Sequence, residues 1–171
     1  MRRIPQFGDV LQLAYVPADL DGALKYWTET VGAGPFFLRQ LVFKGWRYLG
    51  EPIELNVDVA IGYWGEVQVE LIRQTCRTPS VYTAWRDAGR EGLHHIGIDC
   101  RDAQAARAAL ARAQMPIVQE VDGPNGGIFY AGEPRGPDAM LEFLCLTDSQ
   151  KDYFAMLREA HRTWDGEKPV R

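Results

Sequence analysis

Four side chains of the kinds that hold a divalent cation recur at matching places in two halves of this chain. Gln12-Leu13-Ala14-Tyr15-Val16-Pro17-Ala18-Asp19 lines up with His95-Ile96-Gly97-Ile98-Asp99-Cys100-Arg101-Asp102, and Val69-Glu70-Leu71 lines up with Leu141-Glu142-Phe143. Each copy opens on an amide or an imidazole and closes on a carboxylate. If a twofold relates the halves, Gln12 and His95 occupy equivalent places, and so do Glu70 and Glu142. Strands from both halves would then converge on one ion with one nitrogen and three oxygen donors. That set suits zinc, nickel, cobalt, manganese or iron(II). An ionised carboxylate facing a sheet interior is costly unless it is paired or coordinated. Glu142 lies in the most apolar strand, and a cation would offset that cost. The alternative for both glutamates is the solvent-facing, convex side of a sheet. His94 and His95 leave a strand on opposite faces, so at most one enters a given site.

The elements that must position these residues read as a repeat of β-α-β-β-β. Val10–Val16 is a buried strand ended by Pro17. Asp19 caps a helix whose Leu20, Ala23, Leu24, Trp27 and Val31 recur at helical spacing, and Gly32–Gly34 stops it. Strands about Phe36–Phe43 and Leu55–Tyr63 follow, then a turn at Trp64-Gly65-Glu66 and the alternating strand Val67–Ile72. Residues 8–74 form the first module, and 75–91 read as a polar connector with a helical turn around Tyr82–Asp87. The second module spans 92–147. It comprises strand Leu93–Asp99, the Asp102-capped helix Ala103–Gln114, strands Ile117–Val121 and Gly127–Ala131 about an Asp122–Gly126 turn, and strand Met140–Leu146. Residues 148–171 add a C-terminal helix and tail. The fold class is α+β: two tandem βαβββ modules forming a cupped mixed sheet.

Composition narrows the function classes. The 171 residues carry a net charge of −4, and 46% are hydrophobic. An acidic chain without a basic stripe argues against a nucleic-acid partner. No apolar run approaches the length of a membrane span, and Met1-Arg2-Arg3-Ile4-Pro5 lacks the apolar stretch of a signal peptide. Cys76, Cys100 and Cys145 are odd in number and widely spaced, as buried thiols in a reducing cytoplasm would be.

The repeat, with the segments Gln12–Asp21, Val67–Arg73, Gly92–Asp102 and Met140–Leu146, resembles the vicinal oxygen chelate superfamily over roughly residues 8 to 147. This is the group of glyoxalase I, methylmalonyl-CoA epimerase, extradiol dioxygenases and the bleomycin and fosfomycin resistance proteins. The resemblance implies that Gln12, Glu70, His95 and Glu142 bind one divalent metal. The order Gln, Glu, His, Glu looks like glyoxalase I, whereas Gly92-Leu93-His94-His95-Ile96 looks like the epimerase branch. It implies a lyase or isomerase in which a carboxylate removes a proton next to a carbonyl and the ion stabilises the enediolate or enolate. Glu142 is the first candidate for that base and Glu70 the second, with Glu54 as a candidate outside the metal shell. The expected partners are a small-molecule carbonyl or thioester substrate and, by resemblance, a second copy in a homodimer.

Other readings have their own residues. Extradiol dioxygenation needs two histidines and a carboxylate on the metal, and with His94 facing away from His95 and His161 in the tail that set does not form. Trp27, Trp46, Trp64, Tyr48, Tyr63 and Phe129 suit either an aromatic pocket, as in a binding protein without turnover, or a plain core. Arg39, Arg47, Arg73 and Arg135 are available to an anionic handle such as glutathione or coenzyme A. Gly123-Pro124-Asn125-Gly126-Gly127 reads as a hairpin turn or a flap.

Overall fold

The computed structural model describes residues 8–171; the Met1–Pro5 segment considered for a leader lies outside them. Eight strands run in the order β1 (Val10–Tyr15), β2 (Phe37–Tyr48), β3 (Glu51–Trp64), β4 (Val67–Gln74), β5 (Leu93–Asp99), β6 (Ile117–Val121), β7 (Ile128–Ala131) and β8 (Met140–Leu144). The helices are α1 (Leu20–Lys25), continued by a π-helical stretch Tyr26–Val31, then α2 (Val81–Asp87), α3 (Ala103–Arg112) and α4 (Asp148–Arg162). The expected β-α-β-β-β order therefore appears twice, in a mixed α+β fold. No helix among the described residues is long and apolar enough to cross a membrane.

The strands close in the order β1-β4-β3-β2-β6-β7-β8-β5. Each module contributes four neighbouring strands. The modules join where β1 runs antiparallel to β5 and where the end of β2 meets β6. Within each module the first and last strands are parallel, β1 with β4 and β5 with β8. These four strands lie side by side and carry all four candidate residues.

Which way each side chain faces follows from the helices that coat the sheet. Leu20 and Leu24 of α1 pack on Val69, Leu71 and Ala60. Ala106 and Leu110 of α3 pack on Ile98, Phe129 and Phe143. Since neighbours on a strand face opposite ways, Val69 and Leu71 outside put Gln68, Glu70 and Ile72 inside. Phe143 under α3 likewise puts Glu142 inside. Asp19 and Asp102 cap their helices through backbone N–H groups, at Asp21 and Ala105 respectively.

Two expectations about the elements are corrected, the lengths of β2 and β3 and the polar connector. β2 and β3 extend well beyond the short strands expected, meeting in a tight turn at Leu49 and Gly50. Their polar ends are carried by long ladder pairing instead of alternation. The connector is not polar throughout: Val81, Tyr82, Thr83, Ala84 and Trp85 of α2 are buried, and three of them join the barrel's interior cluster with Trp46, Val57, Val59 and Tyr130. A seven-residue helix shows too few turns for its apolar face to stand out. The tail lies extended, with Phe36 donating to the Pro169 carbonyl and Arg171 donating to that of Phe36.

Candidate metal centre

Register turns the repeat into geometry. Ala14 of β1 stands between Glu70 of β4 and His95 of β5, and His95 pairs on to Met140 of β8. One layer away, Gln12 stands between Gln68 and Gly97, and Gly97 pairs on to Glu142. A twofold that exchanges Gln12 with His95 and Ala14 with Gly97 also exchanges Glu70 with Glu142. The small residues at the centre of each layer make the convergence possible. A Cβ on Gly97 would lie 2.9 Å from Gln12 Cβ and 3.0 Å from its Oε1.

The ligand-type atoms of Glu70, His95 and Glu142 all lie within 4.8 Å of one another. His95 Nε2 is 3.1 Å from Glu142 Oε2 and 3.5 Å from Glu70 Oε2. The His95 side chain is 0% exposed, that of Glu142 6% and that of Glu70 12%, so the solvent-facing alternative for the two glutamates is corrected. Gln12 donates its amide N–H to Gln68 Oε1 at 2.6 Å, and its own carbonyl oxygen is buried without a partner. Gln68 in turn donates to the Tyr63 hydroxyl at 3.1 Å.

Three buried atoms at this point carry no aligned hydrogen bond: Gln12 Oε1, His95 Nε2 and Glu142 Oε2. Leaving such groups unsatisfied in a protein interior is expensive. One divalent ion between Glu70, His95 and Glu142 would satisfy the imidazole and carboxylate atoms, and a donor set of imidazole and two carboxylates matches ions between the hard and soft extremes. The residues present therefore fit a metal.

His94 backs this centre. Its Nδ1 lies 2.8 Å from His95 Nδ1, and its Nε2 lies 3.3 Å from the Val81 carbonyl of α2. Burial, with help from neighbouring His95, holds the His94 pKa well below its ordinary value, so the ring is neutral. A carbonyl only accepts, so His94 Nε2 carries the proton and His94 Nδ1 accepts from His95 Nδ1–H. His95 Nε2 is thereby left as the lone pair that faces the carboxylates, the tautomer a metal ligand needs. Without an ion, burial lowers the His95 pKa, but Glu142 and Glu70 outweigh it and hold the imidazole up at about 9. Burial raises the Glu70 carboxyl, and His95 offsets part of that rise.

Tyr82 and Tyr130 share a 2.9 Å hydroxyl contact above the site, and Tyr130 stands opposite Glu142 across β7 and β8. Burial, then the Glu142 charge, pushes the Tyr130 phenol far up, so it stays protonated. Sequence reasoning missed Gln68, His94, Tyr82 and Tyr130. Only the His94-His95 doublet offered a signal, and strand alternation pointed away from it. The expectation that the two histidines face opposite ways is corrected: the ladder slips here, Ala14 pairing with His95 and Tyr15 with Leu93, so His94 is left unpaired and lies inside with His95, against Tyr82 and Trp85.

Other expected residues stand elsewhere. Glu54 is exposed and pairs with Lys44 at 3.9 Å. Arg73 is held by Asp58, and Arg47 by Asp122 and Glu120. The aromatic residues do not gather into one pocket: Trp46 stacks on Phe43, Trp27 meets Trp64, and Phe129 stacks on Phe143 under α3. Cys100 and Cys145 are buried free thiols, as expected, whereas the free thiol Cys76 is only partly buried.

The family model of the Glyoxalase/Bleomycin resistance protein/Dioxygenase superfamily matches residues 11–131. The chain belongs to that superfamily. Its solved neighbours share the barrel. Methylmalonyl-CoA epimerase from Mycobacterium tuberculosis is 13% identical, with a TM-score of 0.60 over 89% of this chain and 97% of that one. A hypothetical protein from Bacillus halodurans C-125 is 15% identical, with a TM-score of 0.58 over 79% and 91%. Methylmalonyl-CoA epimerase from Streptomyces coelicolor, in complex with 2-nitronate-propionyl-CoA, is 17% identical, with a TM-score of 0.54 over 80% and 93%. At these identities the likeness is one of fold. No curated protein matches the chain.

Proposed function

We propose that this superfamily member is a divalent-metal-dependent lyase or isomerase that moves a proton on the carbon next to a substrate carbonyl. The observation that carries the reading is the buried convergence of Glu70, His95 and Glu142, with His95 Nε2 and Glu142 Oε2 unsatisfied. Gln12, Glu70, His95 and Glu142 would hold the ion. Once bound, it supplies Lewis-acid stabilisation of charge on a substrate oxygen.

The protein's own part is proton handling. Glu142, when released from the ion, would take the proton from the substrate carbon; Glu70, from the other module, would return one when it stands protonated, and the proton gained by Glu142 passes back to restore the pair. His95 keeps its Nε2 lone pair toward the site because His94 accepts from its Nδ1–H. Gln68 fixes the Gln12 amide by accepting from its N–H. The protonated Tyr130 hydroxyl donates toward Glu142 and orients it. Tyr82 and Trp85 of α2 exclude water from above.

Two carboxylates from different modules beside one imidazole favour a reaction in which the proton leaves and returns at different places. That covers a glyoxalase-type isomerisation and an epimerase-type inversion. The methylmalonyl-CoA epimerases among the fold neighbours support the second form, with a thioester as substrate.

The test combines metal content with a reaction-class assay. Purified protein should carry about one equivalent of a transition metal, which His95→Ala loses. Acyl thioesters and 2-oxoaldehyde hemithioacetals are then incubated in D2O, and deuterium uptake at the carbon next to the carbonyl is followed by NMR. Glu142→Gln should abolish uptake while the fold survives. Full exchange in that variant removes Glu142 from the reaction, and protein that takes up no metal on reconstitution overturns the reading.

A further inference from the structure

The far side of α2 carries a second constellation. Arg77, Arg86 and Arg135 line one cavity of about 450 Å³ together with Tyr48. Its volume falls in the range of small-molecule sites. Each arginine is exposed, and none has a carboxylate within 4.0 Å among the described residues. Other arginines of this acidic chain do pair: Arg47 with Asp122, Arg73 with Asp58, Arg101 with Asp9 and Arg107 with Glu120. Asp87 is the one acidic residue in the lining, so the balance there is three positive charges to one negative.

The parts come from distant places in the chain. Tyr48 ends β2, Arg77 precedes α2, Arg86 lies on α2, and Arg135 sits in the loop between β7 and β8. Neither module builds the cavity alone. Arg135 is close enough to Tyr48 to offset part of the rise that burial imposes on the phenol. Gln119 stands beside Tyr48 in the β2–β6 ladder. It is 0% exposed, its Oε1 accepts from the Val81 N–H at 3.1 Å, and its Nε2 has no partner. Gln119 lies behind the lining, and the unpaired guanidinium forks that do line the cavity are all donors. An oxygen-rich anion is the ligand that uses them.

We propose that this cavity binds a phosphate-bearing anion, the polar handle of the substrate whose carbonyl end reaches the metal centre. The assignment of the handle rests on the function proposed above; the anion site itself does not. α2 ties the two together. Thr83 and Ala84 face the cavity, while Val81, Tyr82 and Trp85 face the barrel, where the Val81 carbonyl meets His94. A ligand seated on the outer face of α2 therefore lies one helix width from the reacting groups. A flexible arm bridges that distance, as in a nucleotide-linked thioester.

The test is calorimetric titration of chelator-treated protein with inorganic pyrophosphate at low salt. Saturable binding of one equivalent is expected, weakened about tenfold or more in Arg86→Gln and in Arg135→Gln, as loss of a charge-assisted fork implies, and unchanged in Arg39→Gln. Absence of saturable binding, or binding that the two cavity variants leave intact, overturns the site. Glutathione binding more tightly than pyrophosphate overturns the phosphate assignment. An adenosine diphosphate nucleotide should bind at least as well as pyrophosphate, and its exclusion overturns the handle. His95→Ala keeps anion binding, so failure of the metal reading and failure of this one are separately visible.

Discussion

Gly97→Ala tests the convergence most directly, because the clash it creates is aimed at one arm of the site. The added Cβ would lie 2.9 Å from Gln12 Cβ, 3.0 Å from Gln12 Oε1 and 3.0 Å from Leu144 Cδ1. Ordinary contact begins at 3.4 Å, so these atoms must withdraw by 0.5, 0.4 and 0.4 Å. Overpacking of this kind costs about 1–3 kcal/mol. Alanine's stiffer unfolded chain returns about 0.4–1 kcal/mol of that, which leaves a net loss of roughly 1–2 kcal/mol. The displaced Gln12 should also weaken metal binding by about tenfold, since site geometry tolerates errors of only about 0.5 Å. Urea unfolding gives the first quantity and titration against a chromophoric chelator gives the second. Gly65→Ala is the control. That glycine has a φ of +60° with no atom within 4 Å of the added Cβ, so its alanine costs about 1 kcal/mol of backbone strain and leaves metal binding alone. Wild-type metal affinity in Gly97→Ala would refute the geometric argument. Equal weakening in both variants would show that affinity merely follows stability.

Two further outcomes follow from the histidine pair. His94→Phe removes the acceptor for His95 Nδ1–H and should lower metal affinity about 10- to 100-fold. His94→Gln, whose amide oxygen can accept, should recover part of it, and equal loss in both variants would make His94 a packing residue only. The second concerns pH. A proton and a cation compete for His95 Nε2, which titrates at about 9 without metal. The ion must therefore displace a proton below that pH, and its apparent affinity should fall roughly tenfold per pH unit from 9 down toward 7. Proton release on metal addition, measured in weak buffer at pH 7 and at pH 9.5, should be large at the first and small at the second. Equal release at both contradicts the assigned competition.

Much of this was legible beforehand because the determinants are local. Asp19 and Asp102 announce helix starts, Gly32 a helix end, and the strand Leu93–Asp99 stands between clear breakers. The repeat placed Gln12, Glu70, His95 and Glu142 in equivalent register, and the structure brings these four to the inner face of adjacent strands. What could not be read depends on contacts across the fold. Nothing near Tyr82 or Trp85 in the chain distinguishes a surface turn from a buried one, since the surroundings that cover them come from β2, β3, β5 and β7. The gathering of Arg77, Arg86 and Arg135 is likewise a product of closure, with 57 residues between the first and the last. Trp46 and Phe129 are aromatic alike, yet one faces the interior and the other lies under α3, a difference set by pleat and coating helix.

The buried connector also constrains how this architecture can be rearranged. A gene built from two equivalent halves invites the idea that the halves can be traded, either between copies of the chain or by cutting and rejoining it between them. Here the junction is not a passive tether. Val81, Tyr82 and Trp85 sit among residues of both modules, and the Val81 N–H and carbonyl are spoken for by Gln119 and His94 of the second. Any trade of halves must draw that helix out of the barrel or leave it behind in the wrong partner. The chain has become indivisible at the place where its sequence looks most easily cut.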